Sequence, residues 1–150
     1  MLPIHLQHDG YLYTTDSSLL KPEQVHTWLS TESYWCKNIS YETFKTAFDH
    51  SYSIGVLYED NQVAYARFVT DYATFAYLAD VFVLPEHRGK GLSKKMMDIL
   101  MNLDWVKKLR RISLATLDAH KLYEAYGFTA PKFPDRLMEI TRPNIYKAQS

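Results

Sequence analysis

The stretch of sequence that decides the fold reads Val81-Phe82-Val83-Leu84-Pro85-Glu86-His87-Arg88-Gly89-Lys90-Gly91-Leu92-Ser93. It starts as an apolar run typical of a strand, which Pro85 ends because proline cannot donate a ladder hydrogen bond. Two glycines follow, and a helix is predicted to begin near Gly91. This order favours an anion-binding site, since glycines let successive N–H groups turn toward one point and a helix N-terminus is electropositive.

The loop also carries positive charge at Arg88 and Lys90. Taken alone it is a weak signal, because a tight strand-to-helix turn with surface lysines has the same residues. A P-loop NTPase is disfavoured, since no glycine-lysine-serine or glycine-lysine-threonine sequence follows an earlier glycine at the required spacing. A dinucleotide-binding fold is disfavoured too, because its glycine loop follows the first strand of a parallel sheet, whereas this loop lies past the middle of the chain.

The segments ahead of the loop predict a strand, two helices and a three-stranded meander. Residues 11–15 predict a short edge strand. Pro22 is suited to opening a helix over residues 22–31, and Ser40 can cap a second helix over residues 41–48. The meander strands are rich in β-branched and aromatic residues and are separated by turn-forming residues; they span residues 53–58, 63–70 and 75–84.

The segments behind the loop predict a helix, a strand, a short helix and a last strand. One face of the helix that starts near Gly91 is apolar, through Leu92, Met96, Ile99, Leu100 and Leu103. Residues 111–117 predict a strand, and residues 119–126 a short helix ended by Gly127. Residues 137–141 predict the final strand.

Composition limits the classes of protein to which this chain can belong. With 150 residues, of which 47% are hydrophobic, residues 1–150 are predicted to form one domain with a sizeable core. No apolar run of about 18 residues and no signal-peptide pattern is present, so we expect a cytoplasmic protein that neither spans nor binds a membrane. A net charge of zero argues against nucleic acid as the main partner, including a basic contact through residues 87–95.

The cysteine and histidine pattern predicts neither a disulfide nor a metal site. The chain has a single cysteine, Cys36, which cannot pair within the chain and suits a reducing compartment. Metal-ligand spacing is absent among the six histidines, which are His5, His8, His26, His50, His87 and His120.

Two motifs together resemble the GNAT superfamily of acetyltransferases. Residues 83–93 are similar to its motif A, Q/R-x-x-G-x-G/A preceded by V-x-P, and residues 119–128 resemble its motif B, A-x-x-L-Y-E-x-x-G-F. Two motifs in this order are far more specific than either alone. The resemblance implies an α+β, three-layer fold with a mixed central sheet, an antiparallel meander and about four flanking helices.

Two positions depart from the family pattern. Ser93 stands where the family usually has glycine or alanine, so the backbone must accept a small hydroxyl near the pyrophosphate. Thr116 replaces an asparagine common three residues before the motif B alanine, which puts one contact to the cofactor tail in doubt.

The resemblance implies that acetyl-CoA is the co-substrate and that no metal takes part. Its pyrophosphate would be held by the loop residues, namely Arg88, Gly89, Lys90, Gly91, Leu92 and Ser93. The strand edge at Val81 and Val83 would pair with the pantetheine arm. The tyrosine of motif B, here Tyr123, would protonate the departing thiolate and contact the cofactor, although it and Tyr126 share a helix face and either could be a packing residue.

Acyl transfer to an amine also needs a base. Asp80 is a carboxylate in an otherwise apolar strand, so it is a candidate base, with a structural ion pair to Arg67 or a water base as the alternatives. Alternation places Asp80 with Phe82 and opposite Val81.

The acceptor is predicted to be a primary amine of a small metabolite. An aromatic pocket with an acidic mouth would suit a cation, and its candidate residues are Trp28, Trp35 and Asp71. A protein acceptor and a non-catalytic acetyl-CoA-sensing module remain alternatives, and a homodimer is possible because relatives commonly form one.

Overall fold

The computed structural model of the chain describes residues 1–149 and contains one six-stranded sheet in the order β1-β2-β3-β4-β5-β6. The strands are β1 (His5–His8), β2 (Tyr11–Thr14), β3 (Tyr52–Tyr58), β4 (Asn61–Thr70), β5 (Phe75–Val83) and β6 (Arg111–Leu114). The α-helices are α1 (Pro22–Glu32), α2 (Tyr41–Asp49), α3 (Leu92–Met101), α4 (Asp104–Lys107) and α5 (His120–Glu124). Short 3₁₀ turns lie at Ser17–Leu19, Pro85–His87, Pro134–Arg136 and Ile145–Gln149.

The sheet is mixed. Each neighbouring pair from β1 to β5 is antiparallel, whereas β5 and β6 are parallel. The predicted meander of β3, β4 and β5 is therefore confirmed, and so is the α+β class. The prediction that residues 11–15 form an edge strand was wrong, because β1 covers the outer side of β2.

Helices cover both faces of the sheet, which gives the three layers. Along β4, Ala64, Ala66 and Phe68 belong to one hydrophobic cluster and Tyr65 to another, so the two clusters lie on opposite faces. Cluster one packs the sheet against α3, α4 and α5, and cluster two packs it against α1 and α2. The caps behave as predicted, since Ser40 accepts a hydrogen bond from the Thr43 N–H at the start of α2.

A β-bulge interrupts the pairing of β4 with β5. Tyr65 pairs with Phe82 and Arg67 with Ala79, so Asp80 and Val81 together face one β4 residue. Asp80 has a positive φ of 55° there, a left-handed conformation that aspartate tolerates better than most residues. As a result Asp80 lies on the face of Phe82 and cluster two, while Val81 and Val83 pack in cluster one, as strand alternation predicted.

The parallel strands β5 and β6 separate beyond the bulge. Their pairing runs from Phe75 opposite Arg111 to Leu78 opposite Leu114 and then ends. Residues 79–83 of β5 continue toward the glycine loop with no strand on that side. The sheet therefore opens where the loop and α3 begin.

The C-terminal region differs most from the prediction. Residues 137–141 form no strand and are exposed, because nothing in the described chain pairs with them. The strand predicted over residues 111–117 is shorter, and β1 and α4 were not predicted. Among residues 1–149, no helix has both the length and the apolar character needed to span a bilayer.

Candidate active site

The glycine loop has the geometry of an anion cradle. After the 3₁₀ turn Pro85–His87, Gly89 and Gly91 adopt positive φ angles of 75° and 79°. A Cβ built on either glycine meets no atom within 4 Å, so glycine is needed there for backbone conformation and the space beside it is open. No side chain in the described structure caps α3, whose N-cap residue is Gly91.

The first amides of α3 consequently point out of the helix. The helical hydrogen bonds begin with the Lys95 N–H donating to the Gly91 carbonyl at 3.0 Å, and the preceding amides have no acceptor within the helix. These donors and the helix dipole favour a bound phosphate. The loop is open and its donors are free, so it fits the diphosphate that the resemblance implies.

Two contacts fix the loop to the sheet. Arg88 Nε donates to the Val83 carbonyl at 2.9 Å, which leaves the terminal nitrogens of its guanidinium for another partner. The Tyr11 hydroxyl and His87 Nδ1 are hydrogen-bonded at 2.8 Å, and the Tyr58 ring lies 5.3 Å from that of His87. The loop is thus held by β2 and β3 as well as by its own strand.

The open edge of β5 leads from the loop to the bulge. The Leu84 N–H donates to the Val63 carbonyl at 2.8 Å, so Leu84 directs its backbone groups toward β4. Because backbone groups alternate along a strand, those of Val83 and Val81 face the gap beside β6. Such an edge can pair with an extended ligand.

Tyr123 and Tyr126, which share α5, have different surroundings. Tyr123 is 7% exposed, and its hydroxyl has no hydrogen-bond partner among the described residues. Burial, and secondarily the charge of Asp118, raises the pKa of Tyr123, so the phenol stays protonated at neutral pH. The Tyr126 hydroxyl donates to the carboxylate of Asp98 and to the Lys94 carbonyl, and therefore ties α5 to α3.

Asp80 is held from two sides at the bulge. Its Oδ2 accepts from Arg67 Nε at 2.6 Å, and its Oδ1 accepts from Trp35 Nε1 at 2.7 Å. The two side chains of the ion pair are only 16% and 12% exposed. Arg67 is held further by Ser51, whose Oγ accepts from its Nη1 at 2.9 Å. The ion pair considered as an alternative to the base role is thus present.

An aromatic group covers this ion pair. Trp28 stacks on Phe82, with ring centroids 4.3 Å apart, and the rings of Trp28 and Trp35 are 5.9 Å apart. Tyr34 packs edge-on against Trp35 and is 69% exposed. The structure therefore brings Trp28, Trp35 and Asp80 together, on the face of the sheet opposite Val81 and Val83.

Comparison with known proteins now decides the family. Residues 22–128 match the acetyltransferase (GNAT) family. This chain belongs to the GNAT family.

Individual relatives agree with this assignment. A Xanthomonas campestris pv. campestris crystal structure, described as a "putative acetyltransferase belonging to the gnat family", is 50% identical, with a TM-score of 0.89 over 94% of this chain and 98% of that one. A curated Gibberella zeae protein named "Putative acetyltransferase" is 31% identical over 141 residues, covering 81% of this chain and 80% of that protein. A Clostridium acetobutylicum "predicted acetyltransferase with acetyl-CoA" shares the fold, at 18% identity and a TM-score of 0.60 over 93% and 96% of the two chains.

Asp71, the third predicted pocket residue, lies apart from the site of this GNAT protein. Its Oδ1 accepts from the backbone N–H groups of Ala73 at 2.9 Å and Thr74 at 2.8 Å, and its Oδ2 from the Thr74 hydroxyl at 2.6 Å. These hydrogen bonds hold the pKa of Asp71 well below its usual range. Asp71 shapes the β4–β5 turn, about 13 Å along the strand from Arg67.

Two residues near the site of the GNAT chain were not predicted. Tyr146 packs against cluster two, and burial, then the charges of Cys36 and Asp80, raises its pKa. No local pattern marks Tyr146, because a long exposed segment carries it back to the sheet. Cys36 lies in the same cluster, and burial raises the pKa of its thiol to about 11.

Motif B shows how one departure from the family is accommodated. Thr116 Oγ1 accepts from the Ala119 N–H at 3.0 Å, so the hydroxyl shapes the entry into α5. Within residues 1–149, no three histidine, cysteine, aspartate or glutamate side chains converge as metal ligands would.

Proposed function

We propose that this GNAT protein transfers an acetyl group from acetyl-CoA to a primary amine of a small molecule, by direct attack of the amine. One observation carries the proposal: residues 79–83 of β5 have no neighbouring strand on the β6 side and run straight into the uncapped start of α3. An extended thiol arm with a diphosphate at one end matches both parts. The activated end would then reach the bulge at Asp80.

The cofactor side needs no residue beyond the loop and the strand. The amides from Gly89 to Ser93 and the charges of Arg88 and Lys90 would hold the diphosphate, and Leu92 anchors the helix by packing in cluster one. The edge groups of Val81 and the N–H of Val83 would pair with the pantetheine amides, while the Val83 carbonyl accepts from Arg88 Nε. When bound there, acetyl-CoA supplies an acyl group already activated as a thioester.

Tyr123 is the proposed general acid. Tyr123 is buried in the cluster that contains Val83, and its protonated hydroxyl has no hydrogen-bond partner among the described residues, so it can donate a proton to a developing thiolate. Tyr126 is unsuited to this role because its proton is already donated to Asp98 and Lys94.

Water is the proposed base. Both Asp80 oxygens already accept hydrogen bonds, from Arg67 and Trp35, so the carboxylate is engaged in a structural network on both sides. Asp80 would instead fix the bulge and orient Trp35 beside the acceptor. A water beside this polar group could accept the proton of the amine.

A cysteine relay is disfavoured. Cys36 is the only cysteine of the chain, and its buried thiol has a raised pKa of about 11, so almost none is thiolate at neutral pH. The thiol also hydrogen-bonds to Ser33 Oγ at 3.3 Å. These facts support direct attack by the amine.

The acceptor side supports a small cationic amine. Aromatic rings lie next to Asp80, namely those of Trp28, Tyr34 and Trp35. Such rings attract a protonated amine, which would bind there before it loses its proton and attacks. The soluble, cytoplasmic setting expected from the sequence would supply both substrates.

The test measures thiol release with acetyl-CoA and a panel of small amines, amino acids and peptides. We expect acceptor-dependent release with small amines. Cofactor binding by calorimetry without turnover on any acceptor would indicate a sensing module, and turnover on peptides alone would indicate a protein acceptor. Absence of acetyl-CoA binding by well-folded protein would refute the proposal altogether.

The base is tested with Asp80→Asn, since asparagine also tolerates a positive φ at this position. If water is the base, kcat falls modestly and the acidic limb of the kcat/KM profile keeps its position. If Asp80 is the base, kcat falls by about 10²-fold or more and that limb disappears. Asp60→Asn serves as the matched control, because Asp60 also has a positive φ, of 66°, and lies exposed in the β3–β4 turn.

A further inference from the structure

A polar cavity lies between the β1–β2 hairpin and the glycine loop. It has a volume of about 400 Å³ and is lined by His8, Asp9, Tyr11, Tyr13, Tyr58 and Lys90. The order of the sheet puts β1, β2 and β3 on one side of β5 and β6 on the other. The cavity is therefore separate from the edge of β5 at which the pantetheine arm would bind, and its size is within the range of small-molecule sites.

The walls of the cavity are fixed by the sheet and by the loop. The hairpin turns at Asp9 and Gly10, whose positive φ angles of 50° and 83° are those of the tight two-residue turn that joins antiparallel strands. On the loop side, the Tyr11 hydroxyl is hydrogen-bonded to His87 Nδ1 at 2.8 Å. The cavity thus shares Lys90 and an anchoring contact with the glycine loop.

Tyr13 is the most buried residue of the lining. It is 2% exposed, yet its hydroxyl has no hydrogen-bond partner among the described residues. Burial, and then the neighbouring groups of Tyr11 and Asp9, raises the pKa of Tyr13, so the hydroxyl lies near these lining residues and stays protonated. A buried hydroxyl without an acceptor is unfavourable, and a ligand oxygen in the cavity would satisfy it.

Donors exceed available acceptors in this cavity. Within the described structure, the Tyr58 hydroxyl has no hydrogen-bond partner and Lys90 Nζ forms no ion pair. The carboxylate of the lining belongs to Asp9, whose side chain is 81% exposed and lies 3.1 Å from His8 Nε2. Two hydroxyl donors and an ammonium group without a counter-charge are the groups that bind an anion.

We propose that this cavity binds a small molecule through a phosphate or carboxylate group, which Lys90 Nζ and the hydroxyls of Tyr13 and Tyr58 hold. The bound anion engages Lys90, which the diphosphate of acetyl-CoA would otherwise contact, and it places a second negative charge near that diphosphate. Like charges at short range repel, so the ligand lowers the affinity for acetyl-CoA. Binding in the cavity is independent of the proposed function, whereas this coupling rests on it.

The first test follows backbone amides by NMR while inorganic phosphate or malonate is added at constant ionic strength. We expect saturable shifts in residues 8–13 and at Tyr58. Tyr13→Phe should raise the Kd of the probe about tenfold, because a hydrogen bond to a charged group is lost, and Tyr58→Phe is the second variant. Tyr52→Phe is the matched control, since Tyr52 packs against the same cluster but begins β3, at the end opposite Tyr58.

The pattern across these variants decides the outcome. Binding that Tyr13→Phe and Tyr58→Phe weaken and that Tyr52→Phe leaves unchanged supports the proposal, and the tighter probe tells a phosphate ligand from a carboxylate ligand. Shifts confined to residues 89–93 overturn the proposal, because the probe would then occupy only the start of α3. Equal affinity in all three variants overturns it as well.

Calorimetry tests the coupling to the cofactor. With the tighter probe present, the Kd of acetyl-CoA should rise about threefold in the wild type, since one lysine contact is withdrawn, and should rise less in Tyr13→Phe. An equal rise in both proteins would mean direct competition at the loop and would overturn the coupling. If the probe binds in the cavity but acetyl-CoA never binds, the proposed function fails while the anion site stands.

Discussion

The two proposed sides of the site, one for the cofactor and one for the acceptor, are built in different ways. The cofactor side consists of a continuous segment, from Val81 to Ser93, whose groups are mostly backbone amides and an open strand edge. The acceptor side joins residues far apart in sequence: Trp35 from the α1–α2 loop, Arg67 from β4 and Asp80 from the bulge. A local segment can specify a cradle by itself, whereas the acceptor side exists only when the sheet is complete.

This difference predicts which substitutions act on binding and which act on folding. Changes on the cofactor side should alter affinity or rate with small effects on stability. Changes in the ion pair of the acceptor side should first destabilise the fold, because its charges are largely buried.

The largest effect should come from Arg67→Met. The variant leaves Asp80 buried with only Trp35 as a partner, so the free energy of unfolding should fall by about 3 kcal/mol. Urea-induced unfolding of the variant and the wild type measures this loss of free energy. Lys45→Met is the matched control, since the Lys45–Asp49 pair is exposed and its loss should lie within experimental error. Equal losses in both variants would contradict the distinction between the two sides.

The next effect concerns rate. Tyr123→Phe keeps the packing of a residue that is 7% exposed but removes its proton, so kcat should fall by about 10²-fold with the Kd of acetyl-CoA unchanged. Tyr126→Phe is the control: it breaks the link to Asp98 and should lower stability by about 1 kcal/mol while kcat stays near wild type. If kcat fell in Tyr126→Phe and stayed near wild type in Tyr123→Phe, Tyr126 would be the general acid and Tyr123 a packing residue.

A smaller effect is expected at the loop. Gly91→Ala places a side chain at a φ of 79°, which should cost about 1–2 kcal/mol of strain and weaken acetyl-CoA binding. Gly10→Ala has comparable strain, at a φ of 83°, in the β1–β2 turn. Calorimetry should therefore show weaker acetyl-CoA binding by Gly91→Ala only. If both variants bound acetyl-CoA equally well, the loop would not be part of the cofactor site.

The smallest effect concerns pH at the β4–β5 turn. Because its hydrogen bonds lower the pKa of Asp71 in the folded state, its contribution to stability is present above the unfolded carboxyl pKa near 4 and is lost as pH falls below it. Wild type should be more stable than Asp71→Asn at neutral pH, and the gap should shrink in acid. If Asp71→Asn instead raised the KM for the amine without changing stability, Asp71 would be part of the acceptor pocket.

Most strands and helices could be predicted because their signals are local. Pro22, Ser40 and the glycines of the loop fix element ends through their own backbone preferences, and the structure keeps each of them near the predicted place. The prediction of a final strand was wrong because a strand needs a partner, and residues 137–141 have none in the described chain. The sequence pattern there was β-like, yet a pattern does not supply a neighbour.

The candidate site could be predicted only where the local sequence marks its residues. Asp80 was singled out as a carboxylate among apolar residues, and its pairing with Arg67 was one of two open alternatives. Alternation placed Asp80 on the face of Phe82, but the bulge and the positive φ of Asp80 depend on strand register, which no single residue reveals. Tyr146 was missed because the exposed segment that returns it to the sheet has no periodic pattern.

The sequence by itself determined the glycine loop and the strand and helix that flank it, because glycine torsions, proline and apolar periodicity act over a few residues. Tyr123 was singled out by the resemblance to the family's motif B. The tertiary structure alone decided that Trp35, Arg67 and Asp80 share one network, that Tyr123 rather than Tyr126 keeps an unpartnered hydroxyl, and that residues 137–141 stay off the sheet. Those outcomes depend on register and on which surfaces meet, and these are set by long-range packing.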